Sequence, residues 1–384
     1  MTGFIGAAIG LGCVVSLTAC TRPLPEGWSY TTRVTSTGAT VVWTTRSAKS
    51  VSCRSGSAVV TAAGTAGSAG LRYARLGGLL PDTVYRCRFE GTAPARSLRF
   101  RTAPERPTSF RFAVVGDTGD GSPVARALAR RILAGRPAFL VHLGDFSYAG
   151  AGAAGYERAF FRPYRRLLAR VPLYPTPGNH DIVSRSIYRT LFAPAADMDD
   201  RAGPRYAFAW GDGVFASVSS MGIAAGGVGA RWLGETLRGA PAGSWRIVLL
   251  HEPPYAPGTK WVTLGLRRTL QEIFDGDAPP QLVLAGHAHR YARSLPICNG
   301  TPNGGTLEII SGGGGANLDP PSTQQNFPVA LSVTHYARVT VGETSLDVRA
   351  VDVDGRTRDH VRIGRGVPVD CRRDGWPLPI EKAR

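Results

Sequence analysis

The segment Phe110-Arg-Phe-Ala-Val-Val-Gly-Asp117 decides the fold class. Six mostly apolar, β-prone residues run into Gly116-Asp117, as a buried strand does when it stops at a turn. Ser122-Pro123 then opens a helix, with Ser as N-cap and Pro at the first helical position, and Gly135 closes it. A second apolar run, Phe139 to Leu143, again ends in Gly144-Asp145. Strand, helix and strand in that order make a βαβ unit, which brings two strands parallel.

Downstream, strands are expected at Leu173–Pro175, Val214–Ser219, Ile247–Leu250 and Leu282–Ala285, with helices near Tyr156–Leu168, Ala230–Leu237 and Thr263–Phe274. Thr306–Ser311, Tyr336–Val341 and Ser345–Val351 read as further strands. Alternating elements followed by extra strands argue for a β-rich α/β sandwich with stacked sheets. Ser311-Gly-Gly-Gly-Gly315 reads as a flexible or close-packed loop. Upstream, Ala103-Pro-Glu-Arg-Pro107 is a proline-rich break. Before it come short β runs at Ala39–Thr45, Leu71–Leu76, Thr83–Phe89 and Ser97–Thr102 without a helical pattern, which suggests a small all-β sandwich. Leu79–Tyr85 resembles the turn into a late strand of fibronectin type III-like domains. The expected domains are a leader and linker (1–24), the β-sandwich (25–104), a catalytic domain (105–364) and a tail (365–384) tied by Cys371. The sandwich has no clustered catalytic residue types and is assigned a structural or docking role.

The chain has 384 residues, enough for a large domain and a small one, and a formal net charge of +17. Lys49, Lys260 and Lys382 are its lysines, so nearly all the positive charge is arginine. With 48 Gly, this reads as the composition of a GC-rich genome with mild attraction for anions. The arginines are scattered, so no nucleic-acid groove is expected. The helical spacing of Arg158 to Arg170 suggests a solvated face; its rival is docking through anion attraction.

The apolar stretch Phe4 to Leu17 ends in Leu17-Thr18-Ala19-Cys20, which resembles the lipobox of bacterial lipoproteins and makes Cys20 a candidate lipidation site. The departure is an n-region without Lys or Arg; the alternative is a plain cleaved signal. Either way the chain is expected to be exported, to a bacterial envelope as a lipid-anchored protein or otherwise to the periplasm or medium. Cys53 and Cys87 fall in the small domain, Cys298 and Cys371 in the large one. Pairing within each domain, Cys53–Cys87 and Cys298–Cys371, implies an oxidising compartment; the alternative is four buried thiols.

Chemistry-bearing residues cluster just past strand ends, where open α/β sheets place ligands. They are Gly116-Asp117, Gly144-Asp145-Phe-Ser-Tyr148, Gly178-Asn179-His180-Asp181, Leu250-His251 and Gly286-His287-Ala-His289. Asp, His and Asn carbonyls are ligands for first-row metals. Each preceding glycine is expected to let the backbone turn so that the ligand points inward. The set exceeds what one ion needs and suits two cations about 3.5–4 Å apart that share a carboxylate. Singly the motifs are weak, since Gly-Asp recurs at Gly211-Asp212 and Gly276-Asp277. All five in order after apolar strands are specific.

This set resembles the metallophosphoesterase (calcineurin-like phosphoesterase) superfamily and, through Tyr148 three residues after Asp145, its purple acid phosphatases. The resemblance covers about residues 25 to 360 and implies a four-layer α/β/β/α sandwich behind the fibronectin III-like domain. It implies Fe(III) held by Asp117, Tyr148 and His289, a bridging Asp145, and a divalent Fe(II), Zn(II) or Mn(II) held by Asp145, Asn179, His251 and His287. It makes His180 the catalytic group that contacts the phosphate or leaving oxygen. The implied activity is hydrolysis of phosphate monoesters by a metal-bound hydroxide, with an optimum below neutrality. The rivals are phosphodiester or nucleotide hydrolysis on the same cage and a non-catalytic cationic surface-binding lipoprotein. Two departures stand out. Pro253-Pro-Tyr255-Ala-Pro-Gly-Thr-Lys260 lacks the family's further histidine, leaving Lys260 as a candidate phosphate contact. Tyr291-Ala-Arg293 stands where the family often has Tyr-Glu-Arg. His142, Asp181 and Tyr255 are candidate outer contacts; Asp120, His335 and His360 read as structural.

Overall fold

The computed structural model describes residues 24–92, 97–148, 152–183, 185–195, 197–199, 203–223, 227–258, 263–298, 305–323 and 326–365. Cys20, Lys260 and Cys371 lie outside these residues, as do the leader through residue 23 and the tail from 366. Among the described residues no helix is long and apolar enough to cross a membrane.

Residues 29 to 101 build two four-stranded sheets around a shared core that includes Val41, Trp43, Val51, Tyr85 and Phe100. Alternation drives this. In Val84–Phe89 the residues Tyr85, Cys87 and Phe89 face inward while Arg86 and Arg88 face solvent. Cys53 and Cys87 are directly opposite on adjacent antiparallel strands and form a disulfide. Tyr85 Oη accepts the N–H of Leu80 at 2.9 Å, a tyrosine corner that fixes the turn read at Leu79–Tyr85. The strands Ser29–Thr32, Ser50–Ser55 and Ala58–Ala63 add to those expected; their Ser, Ala and Thr content is poor in apolar signal.

The second domain stacks a six-stranded sheet on a nine-stranded one. Phe110–Val115, Leu140–His142 and Leu173–Pro175 run parallel in the first sheet. Gly213–Val218, Trp245–Leu249, Leu282–Ala285 and Gly305–Ser311 run parallel in the second. Their facing side chains, including Phe112, Phe139, Phe215, Ile247 and Leu284, interlock between the sheets. Pro123–Ala134 and Arg162–Leu168 cover one outer face, packing Leu128, Ile132 and Leu167 with Ala113, Val115 and Leu140. Val228–Arg238 and Leu264–Phe274 cover the other through Leu233 and Leu270. The result is a helix, sheet, sheet, helix sandwich of four layers. Ser122 Oγ caps Pro123–Ala134 by accepting the Ala125 N–H at 3.2 Å, and Gly135 is its C-cap. The helix expected over Tyr156–Leu168 is continuous but passes through a π-helical turn at Glu157–Phe161. That turn helps bring Phe161 flat against Trp28 of the sandwich, with ring centroids 3.9 Å apart.

Candidate metal centre

The parallel strands of both sheets end at one edge, and the loops beyond them carry the motif residues. Three of these residues take left-handed backbone: Asp117 (φ 60°), Asp145 (φ 56°) and His287 (φ 68°). Such angles are sparsely populated for residues with a Cβ and mark stored strain. This corrects the expectation that each preceding glycine makes the turn. Gly144 does so, at φ 99°, but Gly116 and Gly286 do not. Gly286 is there for room, because a Cβ would sit 2.8 Å from Asp117 Oδ2. Gly178 likewise lets the backbone press against the Asp145 carboxylate.

Two groups of donors form. In the first, Asp117 Oδ1 accepts from the Tyr148 hydroxyl at 2.9 Å, and the Tyr148 Oη lies 3.0 Å from His289 Nε2. In the second, Asn179 Oδ1 lies 2.9 Å from His251 Nε2 and 3.0 Å from His287 Nδ1. Asp145 stands between them. Its Oδ2 is 3.5 Å from His251 Nε2, and donor atoms of Asp117, Asp145 and His251 all lie within 4.8 Å of one another. All seven residues read as ligands from the sequence therefore converge. His180 joins them: its backbone N–H donates to Asp145 Oδ1 at 3.0 Å, and its ring meets Tyr148 edge-on at 4.7 Å.

Surrounding groups orient the donors. His251 Nδ1 contacts Leu143 O at 2.8 Å and His289 Nδ1 contacts Asn317 O at 2.8 Å, so both rings turn Nε2 inward. Asp181 is fully buried and accepts the N–H groups of Asp145 (2.7 Å), Gly178 (2.8 Å) and Phe146 (3.2 Å) and the Tyr156 hydroxyl (2.7 Å). His142 accepts the Gly144 N–H on Nδ1, which leaves its proton on Nε2, 2.7 Å from Thr118 Oγ1. Burial lowers its pKa and keeps it neutral. Tyr255 packs with Ala288 in a small apolar cluster, and its ring lies under Arg267. The run Gly312 to Gly315 is close-packed: a Cβ on Gly312 would lie 2.8 Å from Asp117 Oδ2 and collide with Ala288 O.

The electrostatics fit cations. Burial would raise the Asp145 pKa, but the charges and hydrogen bonds of His251 and His180 hold it well below the usual carboxylate range. Burial opposes charge on His251, yet Asp145 and Asp117 outweigh it and push its pKa up to about 10. Negative charge thus favours a positive centre here. Burial and the charge of His251 lower His287 to about 4, which keeps its ring nitrogen available. Burial, then Asp117 and Asp145, raise Tyr148 far above an ordinary phenol, so a phenolate there calls for a cation at its oxygen. Mainly oxygen donors on one side and mainly nitrogen donors on the other suit two ions of different hardness.

Sequence reasoning missed Asp319 and Asp359. Asp319 Oδ2 accepts the His289 N–H at 2.8 Å; a lone Asp in a loop gives no signal for this. Asp359 accepts from Tyr291 (2.8 Å) and twice from Arg293 (2.7 and 3.2 Å), so both residues flanking the altered Tyr-Ala-Arg position have a partner.

Residues 110–291 match the family model described as calcineurin-like phosphoesterase. The chain is 26% identical over 321 residues to an uncharacterized protein of Mycobacterium tuberculosis, covering 67% of this chain and 60% of that one. It is 27% identical over 260 residues to purple acid phosphatase 21 of Arabidopsis thaliana, covering 64% and 58%. The structure of purple acid phosphatase PPD1 from yellow lupin seeds shares the fold with a TM-score of 0.77, over 90% of this chain and 75% of that one at 18% identity. The chain spans less than two thirds of the length of the curated relatives it matches. Such homologues imply a binuclear metal centre, and a buried Asp117, Asp145 and His251 cluster is present. Residues 110–291 are a calcineurin-like phosphoesterase domain, and purple acid phosphatases are among the homologues of the chain.

Proposed function

We propose that the chain hydrolyses phosphate monoesters at a binuclear metal centre, with Fe(III) at Asp117, Tyr148 and His289, a divalent Fe(II), Zn(II) or Mn(II) at Asn179, His251 and His287, and Asp145 shared. The observation that carries this reading is the position of Asp145 between two donor groups, with Asp117, Asp145 and His251 inside 4.8 Å. Bound cations neutralise phosphate oxygens and supply an activated water. Tyr148 and Asp117 supply hard oxygen, and the imidazoles of His251 and His287 suit a divalent ion. His180, exposed with its ring edge-on to Tyr148 and next to Asn179, is the side chain offered to a phosphate oxygen or the leaving group. Asp181 and Asp319 hold the loops so that these groups meet without reorganisation. The Cys53–Cys87 disulfide supports an exported protein.

The test is turnover of 4-nitrophenyl phosphate against its bis ester by metal-replete protein, alongside Asp145→Asn. The reading expects the monoester to be preferred below neutral pH and the variant to lose at least about a hundredfold. Preference for the diester would move the assignment to phosphodiester hydrolysis. Absence of turnover on either ester would favour a non-catalytic role.

A further inference from the structure

The arginines that look scattered along the sequence are gathered by the fold. A groove of about 1420 Å³ runs between the β-sandwich strand Ser97–Arg101 and the helices Pro123–Ala134 and Arg162–Leu168. Among the described residues ten arginines line it, and Asp82 is the one acid that does. All ten are exposed. Arg101 pairs with Asp82 at 2.9 Å and Arg162 with Glu157 at 3.5 Å. Among the described residues no carboxylate lies within ion-pair distance of Arg99, Arg111, Arg130, Arg136, Arg166 or Arg170. Like charges recur at helical neighbours, Arg126 with Arg130 and Arg162 with Arg166, a spacing that repels. The charge continues out of the groove along a sheet row in which Arg54, Arg86 and Arg99 are directly opposite one another on three strands.

This groove is separate from the candidate metal centre. Phe110 lines it, and the strand from Phe110 carries its other end, Val115, roughly 17 Å away toward Asp117. No member of the metal cage lines the groove.

We propose that the groove binds a linear polyanion of linked phosphates, inorganic polyphosphate in chemical class. The concave shape admits a chain and not a flat bilayer. Arginine forks match phosphate oxygens two at a time, and among the described lining residues none is lysine. Nucleic acid is the less suitable occupant, because single-stranded binding adds exposed aromatic faces for base stacking. Here Phe100, Phe110 and Trp210 line the floor at 1%, 9% and 2% exposure. A phosphate chain asks for guanidinium groups and no stacking platform.

The test is binding of fluorescently labelled long-chain polyphosphate to the purified protein across a salt series. Arg130→Glu/Arg166→Glu is expected to weaken it at least about tenfold and flatten its salt dependence. Arg238→Glu/Arg268→Glu, the same charge change on the opposite helices, is expected to shift it less than about twofold, apart from general screening. Thermal melting verifies the fold, and Arg130→Gln/Arg166→Gln gives the same direction should the reversals not fold. A single-stranded oligonucleotide of matched charge is expected to bind at least about tenfold more weakly than polyphosphate. Equal weakening by the control pair, no weakening by either groove pair, or an oligonucleotide that binds as tightly would each overturn the proposal.

Discussion

The Asp181 carboxylate accepts the backbone N–H of Asp145 at 2.7 Å, and the same oxygen accepts that of Gly178 at 2.8 Å. One buried side chain thus ties the loop of the central carboxylate to the loop of Asn179. Burial and the charge of Asp145 push its pKa up to about 7, so this arrangement is sustained against an electrostatic cost. Asp181→Asn would turn an amide NH₂ toward donors. The expected result is a loss of metal affinity of about 10–100-fold with ~1–3 kcal/mol of stability. Competition against a chelator measures the first, and unchanged retention would contradict the positioning role.

A second clamp lies beyond His289. Burial would raise the Asp359 pKa, but hydrogen bonds from Arg293 and Tyr291 hold it below the usual carboxylate range. A depressed folded-state value contributes stability above the unfolded carboxyl pKa of about 3.9 and loses it as pH falls through the folded value. Asp359→Asn is therefore expected to cost ~1.5–3 kcal/mol at pH 7 and progressively less below about pH 4. Urea unfolding at several pH values checks this. A gap independent of pH would mean the ionised carboxylate does not matter.

Between the sheets, Phe139 stacks on Phe112 at 5.0 Å and meets Phe215 edge-on at 5.4 Å. Phe139→Ala leaves a cavity in the interlayer core, and ~3–5 kcal/mol of destabilisation is expected from the lost transfer energy and the void. A loss below about 1 kcal/mol would show that the sheets close over the gap.

Gly312→Ala is the opposite case, an addition. Its Cβ would approach Asp117 Oδ2 and the carbonyl of Ala288, which separates His287 from His289. Metal occupancy is expected to fall more than thermal stability, since the clash bears on Asp117 and on the backbone between His287 and His289. Metal analysis of the variant beside its melting curve separates the two effects.

The βαβ opening was legible because Phe110–Val115 and Leu140–His142 are apolar on both faces and Ser122-Pro123 caps the helix between them. The clustering of the seven candidate donors was legible because each follows such a strand. Other features were not, for physical reasons. Left-handed backbone at Asp117, Asp145 and His287 is imposed by packing around the site, against local preference, so composition pointed to the glycines instead. Asp319 and Asp359 act through pairings far along the chain. The arginine groove arises from segments that sequence spacing cannot join, and only folding sets Arg99 beside the helices of Arg130 and Arg166.

Metal content and the visible spectrum of the purified, reconstituted protein bear most directly on the proposed sharing of Asp145 between two cations. About two metal equivalents per chain are expected, with a visible charge-transfer band that vanishes in Tyr148→Phe, and Asp145→Asn should retain no more than about one. A wild-type protein that holds at most one equivalent, or an Asp145→Asn protein that keeps both, would contradict the account.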